Sequence, residues 1–399
     1  MRAARPLLLS GVLLASAGPG HAADLSVNLG DGVALSPYGL YQLDEGGFDQ
    51  SRPGGQAAGF NARRLRTGAK LKVTDQLEAG LIWDFGSTPG GKQQLFEAQV
   101  TYAGLKPFAF TVGVFKPSFG LESMQGAGDT LFLERAGVST LTRGIAAGIE
   151  REAVQVQASG KRYHVATALT AGRAGPGRDG DQRAVVVRAA GLPWKTDAFL
   201  VHLGASGEYA FRPARAAGAL PAYSLSEQQE LQIDDVKAPL STGSIRARSI
   251  GSVGPEVGFA TGRLWMQAEW YSILLNRRED AGGGTLSFSG WYAQAAYTVL
   301  GTPREWKPAD GAWGAPKPSE RFDPRNGQFG SVEVGARYST LDLNSADVRG
   351  GQERIWSAIV NWRPVEALRF GLQYEHATVD GGSAPRGFDA VAVRGQLQF

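Results

Sequence analysis

Basic residues at a spacing of two are the first sign of chemistry in this chain. Arg64, Arg66, Lys70 and Lys72 recur through Phe60–Val73, FNARRLRTGAKLKV, and Arg246 and Arg248 flank Ala247 farther on. In extended backbone such residues share a face and stand about 7 Å apart, twice a rise of ~3.4 Å. Like charges at that spacing repel, so the ladder needs anions or carboxylates beside it. Glu78, Asp84 and Glu97 on neighbouring segments could balance it as a solvated face. The alternative is binding. A planar guanidinium offers a phosphate group two parallel hydrogen bonds, and weak binding at several donors in series lets an anion leave again. Lys116, Arg135 and Arg143 join the candidate anion-binding set from a stretch of different character. Arg63 is the awkward neighbour: alternation points it away from Arg64 and Arg66, so it should sit near a rim, at a bulge or in a subunit contact.

The elements that must hold these groups are strands. Leu65, Thr67, Ala69, Leu71 and Val73 oppose the ladder; Leu77, Ala79, Leu81, Trp83 and Phe85 oppose Glu78 and Asp84. Phe96, Ala98, Val100 and Tyr102 oppose Glu97, Gln99 and Thr101. Near the end, Trp356, Ala358, Val360 and Trp362 oppose Ser357, Asn361 and Arg363, then Leu368, Phe370, Leu372 and Tyr374 oppose Arg369, Gln373 and Glu375. The last strand sets Val391, Val393, Leu397 and Phe399 against Arg394, Gln396 and Gln398. Full charges on one face of strand after strand, with aromatics at the ends of the other, fit a barrel with lipid outside and water inside better than a soluble sandwich. Sixteen or seventeen segments can be counted, the doubt being whether Gly144–Ser159 is one strand or two. An even count is expected of a single-chain barrel, so the expectation is an all-β, sixteen-stranded antiparallel transmembrane barrel. Short turns such as Thr74-Asp75-Gln76 and Pro364-Val365-Glu366 should form one rim. The long loops Asp44–Gly59, Arg212–Thr242, Gly301–Gly330 and Asp380–Gly387 should form the other.

Lys116–Arg143, KPSFGLESMQGAGDTLFLERAGVSTLTR, follows the alternating strand Pro107–Phe115, in which Phe108, Phe110, Val112 and Val114 share a side. It has neither a two-residue nor a helical period and reads as a loop. Its apolar groups Phe119, Leu121, Leu131, Phe132 and Leu133 need a wall. Its charges Lys116, Glu122, Asp129, Glu134, Arg135 and Arg143 need water. A barrel lumen supplies both, so the loop is expected to fold inward and narrow it.

The start, Met1-Arg2-Ala3-Ala4-Arg5, an apolar Pro6–Ala17 and Gly20-His21-Ala22, is patterned as a signal peptide over 1–22, leaving 23–399 as the barrel. The chain has no cysteine, which excludes disulfide-stapled domains and thiolate metal sites. It has 41 basic and 38 acidic side chains, or +3; without Arg2 and Arg5 the balance is 39 against 38, or +1. Any preference for anions must then come from where the charges point, and no nucleic-acid partner is expected. No metal-ligand spacing and no Gly-rich phosphate loop before a helix is present, so no metal and no cofactor is expected. His164, His202 and His376 lie on separate segments, and His202 with Ser206 lacks a third partner, which leaves an outer-membrane enzyme as the weaker alternative.

Four stretches resemble the phosphate-selective porin O and P family. They are Arg63-Arg64-Leu65-Arg66; Gly113–Glu122, GVFKPSFGLE, leading into Phe132-Leu133-Glu134-Arg135; Glu333–Leu343, EVGARYSTLDL; and Asn361-Trp362-Arg363-Pro364 with Val391–Phe399. The resemblance implies a homotrimeric outer-membrane channel in contact with lipid, constricted by an inward third loop and selective for small, phosphate-like anions. Arg64, Arg66, Lys70, Lys72, Lys116, Arg135, Arg143, Arg246 and Arg248 are the expected pore-lining residues. A weakly selective or organic-anion porin remains open beside this.

Overall fold

The computed structural model describes residues 25–49, 58–86, 93–148, 150–174, 181–214, 220–228, 230–233, 240–381 and 386–399. The expected leader over 1–22 lies outside the described residues. Sixteen antiparallel strands form one closed barrel. They are β1 (Val33–Phe48), β2 (Ala58–Lys72), β3 (Leu77–Asp84), β4 (Gln94–Leu105), β5 (Phe108–Phe115), β6 (Arg151–Gly160), β7 (Tyr163–Arg173) and β8 (Arg183–Lys195). The second half comprises β9 (Phe199–Arg212), β10 (Ile245–Thr261), β11 (Leu264–Arg277), β12 (Thr285–Leu300), β13 (Ser331–Ser345), β14 (Val348–Arg363), β15 (Leu368–Asp380) and β16 (Arg386–Gln398).

Each strand pairs with its sequence neighbours, and β1 closes the ring against β16 with Leu40 opposite Gln398 and Phe48 opposite Ala390. The seam ends in two backbone hydrogen bonds of 3.0 Å between Gly39 and Phe399. A Cβ at Gly39 would lie 2.5 Å from the Phe399 ring, so glycine there lets the terminal aromatic fold over the seam.

The two faces are inverted relative to a soluble protein. Leu81, Trp356, Phe370 and Leu372 are exposed, whereas Arg151, Arg188, Arg337, Arg369 and Arg394 are among the most deeply buried side chains. The first set faces outward, and the charged set looks into the lumen. The exposed aromatics Trp83, Phe85, Tyr102, Trp362 and Phe399 lie at strand ends as expected of interfacial girdles.

Three expectations are corrected. Lys116–Arg143 is not helix-free: it contains α1 (Leu121–Met124) and α2 (Gly137–Ile145). On α2, Val138, Leu141 and Ile145 are buried while Thr140 and Arg143 turn to the cavity. Two turns are too few for the 3.6-residue period to stand out. Gly144–Ser159 is the end of α2 followed by the single strand β6, which keeps the count at sixteen. Finally, the stretch 301–330 does not join the long-loop rim. It connects β12 to β13, and strand parity puts it on the rim of the short turns 73–76, 262–263 and 364–367, while the tight turn 346–347 falls on the opposite rim. Length alone could not reveal this, because direction alternates with every strand.

From that rim 301–330 enters the barrel. Its small hairpin, Trp306–Lys307 paired with Ala312–Trp313, packs Trp313 edge-on to Trp265 at 6.5 Å, and Trp306 lies 4.7 Å from the His202 ring. Arg188 donates to the carbonyls of Asp310 and Gly311 at 2.8 and 2.7 Å. The lumen is therefore filled from both mouths.

Candidate functional site

The residues after Phe115 fasten to the far wall of the barrel. Phe119 stacks on Tyr271 at 5.6 Å, and the amides of Leu121 and Glu122 donate to the Glu269 carboxylate at 2.6 and 2.9 Å. The Leu131 carbonyl accepts from Asn361 and Arg369 at 2.9 and 2.8 Å, and the Leu133 amide donates to Gln373 at 2.8 Å. These contacts fill the lumen beside β11–β16 and leave a cavity of about 1150 Å³ along β2–β6. Among the described residues, ten basic and six acidic side chains line that cavity. Glu269, Glu333 and Glu375 are buried on the filled side together with Arg337, Arg363, Arg369 and Arg394, while the open side carries the basic groups that line the cavity.

Arg64, Arg66, Lys70, Lys116, Arg135 and Arg143 all reach the cavity. Lys72 does not line it; beside the first short turn it pairs with Asp75 at 2.7 Å and stays exposed. Arg246 and Arg248 are a correction. They face outward, half-exposed, and pair with Asp280 at 3.1 Å and Glu279 at 3.4 Å. The register between β10 and β11 shifts between Ala247 and Ser249, so even-numbered residues that point inward from Ser252 onward point outward before it. The same physics moves Phe96, expected outside. A shift between Ile82 and Trp83 turns it into the cavity, where the Arg66 guanidinium lies 3.6 Å over its ring.

Arg63 does sit at a bulge, where Gln42 opposes Arg64 but Asp44 opposes Asn61. Its outward assignment is nonetheless overturned, because the extra residue lets both arginines turn inward. Arg63 meets the Glu134 carboxylate at 2.8 and 3.0 Å, and Arg64 meets it at 3.1 and 2.9 Å. Arg394 of β16 adds a third contact at 2.8 Å. Burial opposes ionisation of Glu134, yet these guanidinium groups hold its carboxyl well below the usual carboxylate range. Arg66 has its own acid, Asp84, at 2.7 Å.

The other three cations differ. Lys116 donates to the Ser123 carbonyl at 2.6 Å, and Arg135 to the carbonyls of Glu122 and Gln125 at 3.1 and 2.7 Å. Arg143, among the described residues, has no hydrogen-bond or ion-pair partner. Among the described residues, none of the three forms an ion pair with a carboxylate. Burial, then the like charges of Arg135 and Arg143, push the Lys116 ammonium down to about 7. Burial and the neighbouring Arg135, Arg64 and Arg63 likewise hold Arg143 below its ordinary value. An anion among these groups would relieve both effects.

Sequence reasoning missed Lys307, which reaches the cavity from the opposite rim and meets Asp129 at 2.6 Å. It also missed Arg151, whose guanidinium donates to the Gly144 carbonyl at 3.0 Å. Alternation could have flagged Arg151; nothing local could have placed Lys307.

A family model described as phosphate-selective porin O and P matches residues 37–399. The chain is 24% identical over 331 residues to Porin O of Pseudomonas aeruginosa, covering 76% of this chain and 72% of that protein. It is 26% identical over 363 residues to an uncharacterised protein of Caulobacter vibrioides, covering 88% and 70%. In fold it is similar to an anion-selective porin from Comamonas acidovorans, with a TM-score of 0.59 at 10% identity, over 92% of this chain and 100% of that one. It is also similar to OprB of Pseudomonas putida, with a TM-score of 0.57 at 11% identity, over 92% and 94%. A sixteen-stranded barrel with apolar faces outward, a lumen narrowed by inward segments and a family match over nearly its whole length identify this chain as an outer-membrane porin of the phosphate-selective porin O and P family.

Proposed function

We propose that the protein is a passive channel that prefers anions and is best suited to phosphate-like oxyanions. It is exported on its 1–22 leader and assembled as a homotrimer in the outer-membrane lipid. The supporting observation is the trio Lys116, Arg135 and Arg143, which among the described residues form no ion pair with a carboxylate and which share a cavity with Arg63, Arg64 and Arg66. The trio presents ammonium and guanidinium donors to one space, the chemistry that replaces the hydration of a tetrahedral oxyanion. Arg66 and Lys70 continue the positive face along β2, so an anion is passed on rather than trapped. Ser118 and His164 come within 2.8 Å, but no carboxylate hydrogen-bonds to that imidazole among the described residues, and the pair fastens the inward segment to β7. A nucleophile and base without an orienting partner give no support to turnover.

The test is the reversal potential of the purified protein in a planar bilayer under a potassium chloride gradient, followed by titration of the chloride current with phosphate. Anion-directed potentials with saturable block by phosphate are expected. A cation-directed potential would overturn the anion preference, and an unblocked current would overturn the oxyanion site.

A further inference from the structure

We propose that the lumen face of β13 is a common fastening rail that sets the pore aperture, and that Arg337 on it is the positioning residue for the pore cations. The proposal rests on the channel reading above. Residues 333, 335, 337 and 339 alternate onto one face of β13, and each acts on a segment that narrows the lumen.

Glu333 takes Arg304 of the 301–330 segment at 2.7 and 2.8 Å, with both side chains buried. Arg304 in turn donates to the Asp129 carbonyl at 2.8 Å, so one residue ties the segments from the two mouths together. Gly335 has no side chain where a Cβ would come within 2.8 Å of Leu131, so the inward segment lies directly on the strand. Arg337, fully buried, reaches the Glu122 carboxylate at 3.4 Å and the Glu134 carbonyl at 3.0 Å, and lies 4.2 Å over the Phe132 ring. It also grips the Glu230 carboxylate, which belongs to the segment between β9 and β10. Ser339 donates to Glu230 at 2.6 Å, and Glu230 accepts from the Gly137 amide at 3.1 Å, where α2 begins.

Arg337 therefore holds the backbone immediately before Arg135 and, through Glu230, the start of the helix that carries Arg143. It is buried behind both and lies outside the residues lining the open cavity, so its influence on passing anions runs through the segment it holds. Without it, the Glu122 and Glu230 carboxylates would face each other beside Glu227, Glu353 and Glu375. That is a cluster of like charges without its cation, which favours release of the segments over close packing.

The experiment compares wild type, Arg337→Met, Arg337→Lys, Gly335→Leu and the triple variant Arg337→Met with Glu122→Gln and Glu230→Gln. Heat-modifiability reports the folded barrel. Single-channel conductance and polymer exclusion report aperture, and reversal potential reports selectivity. Folded Arg337→Met should conduct roughly twofold or more above wild type, admit larger polymers and lose anion preference, because its confining segment no longer holds position. Arg337→Lys should recover part of both. Gly335→Leu, with every ion pair intact, should push Leu131 off β13 toward β2–β6 and so narrow the cavity and lower conductance. The triple variant, which removes the two carboxylates that Arg337 pairs with, should fold even if Arg337→Met does not and should keep the wide pore. Wild-type aperture in folded Gly335→Leu or in the triple variant overturns the rail, as does failure of both to fold, since that makes β13 a requirement of the barrel rather than of its aperture. The aperture readouts do not depend on the sign of the selectivity. A wild-type channel that proved cation-selective would refute the proposed function while leaving the rail to be decided by conductance.

Discussion

Lys116 is a pore cation whose state should change near neutral pH. Its ammonium, pushed down to about 7, is charged below that value and neutral above it. Anion preference should accordingly weaken as pH rises from about 6 to about 8, and Lys116→Arg should flatten that dependence because a guanidinium keeps its proton. Reversal potentials across this range are the check, and a slope unchanged in the arginine variant would assign the titration elsewhere. Arg143 and Arg66 should separate selectivity from stability. Arg143→Ala removes an unpartnered charge, so anion preference should fall with folded yield intact. Arg66→Ala strands the buried Asp84 and should also cost on the order of 1–3 kcal/mol, seen as a lower midpoint in denaturant. The inward turn of Arg64, Arg66 and Lys70 on β2 was legible from alternation, and Lys72 fell outside the cavity because it lies at the strand's end beside the turn. The fates of Arg63 and Phe96 were not, because a bulge adds one residue without leaving a mark in composition.

At the scale of elements, most of the strands could be read and the lumen contents in part. Phe119, Leu121 and Leu131–Leu133 announced a segment that needs a wall, and the barrel supplies one. Two-turn helices and the rim of 301–330 stayed hidden, one for lack of periods and the other for lack of a local cue to direction. Deleting 126–136 removes Leu131, Glu134 and Arg135 together and should raise conductance while weakening ion discrimination; unchanged conductance would place the constriction elsewhere. Docking of the segments should also depend on pH. Burial raises Glu122 from 4.5 to about 7, and burial with Glu230 raises Glu227 to about 8. The docked state thus holds protons that the released state gives up. Its advantage is full below about 4.5, falls through the interval up to about 8, and is absent above it. Protease nicking between β5 and β6, or hydrogen exchange of α2, should therefore increase from about pH 5 to about pH 7, above which loss of the Lys116 proton from the docked state opposes the trend, and Glu227→Gln should reduce the rise. A flat profile would mean that these carboxyls do not control docking.

The whole molecule is an inverted solvent problem: the apolar faces point outward and a crowded, charged interior takes the rest. Alternation carried the architecture into the sequence because every strand obeys it, but the meeting of distant segments inside had no such periodic trace. Closure has a local signature. Deleting Phe399 removes the ring over Gly39 and a backbone pair of the β1–β16 seam, and should lower the folded, heat-modifiable fraction. Gly39→Leu should do the same by crowding that ring. One more arrangement bears on how the protein is made. Arg394 on β16 grips Asp44 on β1 at 2.6 Å with each of two nitrogens, and the same guanidinium holds Glu134 and the Leu133 carbonyl of the inward segment. The last seam of the wall and the stowing of its cargo share one fastener. A ring that sealed while still hollow would leave that fastener half-engaged, its bonds to Asp44 made and its bonds to Glu134 and the Leu133 carbonyl missing. Zipping the final pair of strands should therefore be most favourable once the interior has already been loaded.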